Sequence, residues 1–113
     1  MSRRAPTGRP AREMGWVYTL HLLPPYPADA EPGQQQAKHY TGWTKSLTQR
    51  LADHATGRRD AGRLMQVQHQ AGGTFILVSV EPGTRDRETQ LKERGASRRC
   101  GICMVMRIKG MAL

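Results

Sequence analysis

The stretch His39-Tyr40-Thr41-Gly42-Trp43-Thr44-Lys45-Ser46-Leu47-Thr48-Gln49-Arg50-Leu51-Ala52-Asp53-His54 decides how this chain is read. Its start is aromatic and β-branched, which suits a strand on a half-buried pleated surface. Gly42 fits a close backbone approach, and Thr44 can cap the helix that follows. Leu47, Leu51 and Ala55 recur at four-residue spacing and stack on one helix face. Arg50 and His54 share that spacing and lie side by side along one edge of the apolar stripe. Gly57 can close the helix in a left-handed cap. A guanidinium and an imidazole on a rigid helix, just after a strand tyrosine, suit phosphate chemistry. For an Arg–His pair taken alone, a solvated helix edge is the better reading.

Working outward, Trp16 to Leu23 is rich in aromatic and branched residues and reads as a buried strand ended by Pro24-Pro25. Trp16, Tyr18, Leu20 and Leu22 should share one face, with Val17, Thr19 and His21 on the other. The proline- and glutamine-rich segment up to Lys38 is loop chemistry, and it should return the chain so that His39 to Trp43 pairs antiparallel with the first strand. On the far side, Asp60 is a candidate cap for a helix over Ala61 to Gln70, with a strand at Leu64 to His69 as the rival. Thr74 to Val80 is the clearest strand, broken by Pro82-Gly83. Thr84 can cap a last helix from Arg85 to about Arg94. The pattern β-β-α-α-β-α predicts an α+β fold, a small, mainly antiparallel three-stranded sheet flanked by helices. Residues 1–14 read as a disordered basic arm, 15–103 as the folded domain and 104–113 as an apolar tail.

With 113 residues one domain is expected. The formal charge is +9, from 18 Lys and Arg against 9 Asp and Glu, which is an electrostatic footprint for nucleic acid or another polyanion. The first residues carry arginines without an apolar signal core, and no apolar run approaches the roughly 18 residues that a membrane span needs. A cytoplasmic protein with no membrane partner is the expectation. Cys100-Gly101-Ile102-Cys103 is half of a zinc site, and no second cysteine pair exists. Zinc would need two of His21, His39, His54 and His69, and His54 is claimed for chemistry. Two reduced packing cysteines are therefore expected instead.

Five residues on four elements now stand out: Tyr18, Tyr40, Arg50, His54 and Glu88. Trp16-Val17-Tyr18 resembles the GIY triplet, and Tyr40-Thr41-Gly42 the YIG triplet, of the GIY-YIG endonucleases. Arg50-x-x-x-His54 is similar to the helix that follows in that family, and Glu88 falls where the family keeps its metal-binding carboxylate. The similarity spans Trp16 to Cys103 and is closest to small stand-alone bacterial members that end in a segment like Ala96 to Cys103. Trp-Val-Tyr departs from the triplet while keeping the tyrosine, and the gap from Tyr18 to Tyr40 is longer than usual. The family often places an Asn or a basic residue after the metal glutamate, and here only Lys92, Arg94 or Arg98 can fill that role.

The resemblance implies a DNA endonuclease that uses one Mg²⁺ or Mn²⁺ at Glu88, with Tyr18 as the base and Tyr40 as a positioning donor. The chemistry is consistent with this. One carboxylate can hold an octahedral cation whose shell is completed by water and phosphate, and Arg50 presents a fork for a nonbridging oxygen. A tyrosine hydroxyl near its ordinary ~10 needs neighbouring cations before it can act as a base. His54 can assist proton transfer or bond phosphate. Arg58, Arg59, Lys92, Arg94, Arg98 and Arg99 are expected to grip the DNA backbone, which positions without specifying sequence. Each residue also has a plain reading: Tyr18 as core, Glu88 paired with Lys92, His54 favoured by its helix dipole. A binding module of the same fold without turnover, or a structural protein, are the alternatives. Oligomeric state is unreadable from the sequence.

Overall fold

The strand Gly15–Tyr26 (β1) forms the middle of the sheet and is paired along both edges, and its unbroken buried run from Val17 to Leu22 has both faces covered. A computed structural model describes residues 12–58, 62–95, 99–108 and 110. Residues 1–11 of the expected arm, together with Arg59, Asp60 and Arg98, lie outside that set. The strand Ala37–Thr44 (β2) pairs antiparallel with β1 on one side, and Thr74–Gly83 (β3) pairs antiparallel on the other, giving the order β2-β1-β3. The α+β fold with a three-stranded antiparallel sheet and flanking helices is the architecture that the residue pattern predicted.

β1 runs past Leu23, through Pro24 and Pro25, to Tyr26. The reason is positional. Its pairing with β3 stops at Leu23, and its pairing with β2 skips from His21 to Tyr26. The prolines fall where no ladder amide is required. Pro82 is likewise tolerated inside β3 because that strand is an edge.

Alternation along β1 splits the core in two. Tyr18, Leu20 and Leu22 are buried with Met65, and Tyr40, Leu47, Leu51, Leu64 and Phe75 pack around them. Full burial of a leucine contributes on the order of 1.5–3 kcal/mol. The helices on this face are Leu47–Thr56 (α1) and Arg63–Gln70 (α2). The rival strand at Leu64 to His69 is thus displaced by a helix, and Gln68 fastens it by donating to Pro24 O and Thr74 O. A second cluster joins Val17, Trp43 and Leu91 of the helix Arg85–Arg94 (α3).

The helix ends follow local chemistry. Gly57 closes α1 with φ 68°, and Thr84 caps α3 by accepting from Arg87 N. Thr44 does not cap α1; its hydroxyl accepts from Ser46 N just ahead of the helix. A further helix, Gly101–Ile108 (α4), begins inside the expected folded domain and takes in the first half, 104–108, of the stretch expected to be an apolar tail. No helix among the described residues is long and apolar enough to cross a membrane.

Candidate active site and metal-ligand cluster

Tyr18 points from the centre of β1 toward α1, where its hydroxyl lies 2.7 Å from Nε2 of His54. Both side chains are 1% exposed. Tyr40, on the neighbouring strand, completes the group: its ring centroid is 5.0 Å from that of His54 and 6.3 Å from that of Tyr18. Phe75 of β3 closes the far side of the imidazole with an edge contact at 6.2 Å. The glycine of the Tyr40-Thr41-Gly42 triplet has a plain steric role here. Gly42 stands opposite Tyr18 in the ladder, and a Cβ on it would come 2.5 Å from the Tyr18 hydroxyl.

Burial pushes the Tyr18 phenol well above its ordinary range. The neighbouring Tyr40 adds to this, the Arg50 guanidinium opposes it, and the Glu88 carboxylate adds again. Two conclusions follow. The phenol is protonated at neutral pH, and its hydroxyl shares one hydrogen bond with His54 Nε2 whose direction follows the tautomer of the imidazole. Arg50 and Glu88 both lie close enough to act electrostatically on the same oxygen. Five residues spread from β1 to α3 therefore share one neighbourhood.

Glu88 is largely buried, and its Oε2 meets Nζ of Lys92 at 3.1 Å across one helical turn. Lys92 also lines a cleft of about 390 Å³ with His39, Tyr40 and Thr41. Among the expected backbone-gripping residues, Arg94 is exposed on the last turn of α3. Arg58 is exposed and lies 3.7 Å from Asp53. Arg99 is turned inward. Its Nη1 donates to Leu91 O and Gly95 O, and its Nη2 to the Thr19 and Thr41 hydroxyls. That guanidinium clamps the end of α3 to the sheet.

The structure also assembles a group that sequence reading left apart. His21 and His39 are ladder partners on β1 and β2. Cys100 and Cys103 lie just before α4 and in its first turn, both buried and reduced. The four ligand atoms all lie within 4.8 Å of one another and could hold a metal ion. Packing cysteines were expected because no partner pair was in sight; the ladder supplies the two imidazoles. Burial lowers the proton affinity of both His21 and His39, which favours the neutral, metal-binding form. Nitrogen and sulfur donors of this kind suit zinc-type ions and not Mg²⁺.

Comparison with known proteins found no matching family model, no matching curated protein and no matching solved structure.

Proposed function

We propose that the chain is a divalent-metal-dependent DNA endonuclease of the GIY-YIG type. The observation that carries this reading is the 2.7 Å contact between the Tyr18 hydroxyl and His54 Nε2, within the fields of Arg50 and Glu88. A buried phenol is a poor base alone. Joined to an imidazole whose Nε2 accepts, it can pass a proton on as it takes one. Tyr18 Oη accepts a proton from the attacking water while its own proton moves to Nε2, which leaves an imidazolium and a hydroxide equivalent. The hydroxide forms the new P–O bond, the P–O bond to the leaving group breaks, and solvent in the cleft protonates the departing oxygen. Tyr40 orients the water, and Arg50 offset charges on the phosphoryl oxygens.

Glu88 would hold the cation. Its carboxylate supplies the hard oxygen that Mg²⁺ or Mn²⁺ requires, and the Lys92 ammonium already lies where positive charge is favoured. A bound ion would neutralise the phosphoryl group and the leaving oxygen. Lys92 and Arg94, with the +9 chain charge behind them, would hold the DNA backbone.

One observation favours a second reading, a DNA-binding module without turnover: the Tyr18 phenol is sealed from solvent. Nicking of supercoiled plasmid separates the two. The nuclease reading expects Mg²⁺- or Mn²⁺-dependent nicking that Glu88→Ala abolishes while salt-dependent DNA binding persists. Equal nicking by wild type and Glu88→Ala, or none by wild type that binds DNA, would overturn it.

A further inference from the structure

The geometry points to a structural zinc site at His21, His39, Cys100 and Cys103 that pins α4 to the sheet. The first argument is distance. His21 Nδ1 lies 3.3 Å from His39 Nε2, 3.3 Å from Cys100 Sγ and 3.7 Å from Cys103 Sγ. Cys103 Sγ lies 3.3 Å from His39 Nε2. A tetrahedron with zinc–nitrogen and zinc–sulfur bonds of ordinary length has edges of about 3.3 Å between nitrogens and about 3.6 Å between nitrogen and sulfur. These four separations lie close to those edges, and all four ligand atoms are within 4.8 Å of one another.

Hydrogen bonding does not explain the same arrangement. Three polar atoms converge on the single nitrogen Nδ1 of His21, which carries at most one proton and has one in-plane direction for a partner. Reduced thiols are weak donors and weak acceptors, and they have no need to crowd an imidazole from two sides. A common central cation accounts for all four separations at once.

Charge points the same way. Two thiolates balance Zn²⁺ and two neutral imidazoles add nothing, so the centre is electrically neutral where Cys100 is 0% and Cys103 1% exposed. All four positions are filled by protein, which marks a structural site and not a catalytic one. Support from the surrounding shell is also in place. Cys103 N donates to Cys100 Sγ at 3.4 Å. Arg99, the residue before Cys100, is tied to Thr19 and Thr41, two positions along the strands from His21 and His39.

The consequence for the fold lies in α4. An eight-residue helix is too short to persist alone. Two thiolates at its start, bonded through the ion to β1 and β2, hold it on the sheet.

The test uses the full chain, with Zn²⁺ and Co²⁺ alone as probes. Protein purified from zinc-supplemented culture should carry one zinc per chain. After stripping, Co²⁺ should give the intense visible bands of tetrahedral coordination together with thiolate charge transfer, and equimolar Zn²⁺ should bleach them. Cys103→Ser and His39→Ala should each lose most of the bound metal, whereas His69→Ala should retain it. Wild type that takes up neither ion, or cobalt spectra of an octahedral, sulfur-free site, would overturn the proposal. So would an isolated Cys100–Cys103 disulfide, or a Cys100→Ser/Cys103→Ser variant that binds as wild type does. None of these readouts depends on DNA cleavage.

Discussion

The Tyr18 hydroxyl and His54 Nε2 meet at 2.7 Å although 36 positions separate the residues in sequence. Burial of both makes this bond a defined object for mutation. Tyr18→Phe removes the hydroxyl, keeps the ring and deletes the hydrogen bond to His54 Nε2. Plasmid nicking should fall by about 10²–10⁴-fold, while thermal melts should show a loss of about 1–3 kcal/mol. Unchanged nicking would remove the phenol from the reaction.

The same burial sets a pH dependence. An unfolded chain releases the Tyr18 proton near pH ~10, whereas the folded chain keeps it to higher pH. Above that point the folded state binds more protons than the unfolded one, so stability falls as pH rises. Below it the contribution is fully present. Urea midpoints measured from about pH 8 to about pH 11 should therefore decline more steeply for wild type than for Tyr18→Phe. Parallel curves would show that Tyr18 ionises as freely in the fold as outside it.

Gly42→Ala tests the steric role of the second triplet. The new Cβ would lie 2.5 Å from the Tyr18 hydroxyl oxygen and 2.6 Å from its Cζ. Relief requires the buried ring to move, at about 1–3 kcal/mol. The double variant Gly42→Ala/Tyr18→Phe should recover part of that stability and none of the nicking. A melting temperature for Gly42→Ala equal to wild type would show that the ring shifts without cost.

Arg99 separates charge from architecture. Four hydrogen bonds direct its guanidinium to protein acceptors. Arg99→Gln should lower stability by about 1–3 kcal/mol and leave the salt dependence of DNA binding unchanged. Lys92→Gln or Arg94→Gln should instead reduce that salt slope by about one charge or less. A reduced slope for Arg99→Gln would place its charge on the DNA.

Most elements were legible because their signals are local. Gly57, Thr84 and the Thr74 to Val80 run each announce an end or a body within a few residues. The phenol–imidazole group was legible only through the resemblance of its triplets and helix. What escaped was nonlocal. Nothing near Cys100 indicates His21 or His39; only the hairpin register does. Yet a signal was present, for the ladder that sets Tyr18 opposite Gly42 also sets His21 opposite His39, three pairs along. α4 was hidden by the basic, glycine-punctuated run before it, which offers no start signal.

Because neighbouring positions on a strand face opposite ways, β1 aims the Tyr18 phenol at one helical layer and the His21 imidazole at the other. A single-residue insertion or deletion at the start of this strand would exchange the two directions together. The phenol–imidazole pocket and the cysteine–histidine cluster under the final helix are therefore inherited as one unit: side chains can be altered separately at either place, but the spacing along the central ribbon cannot.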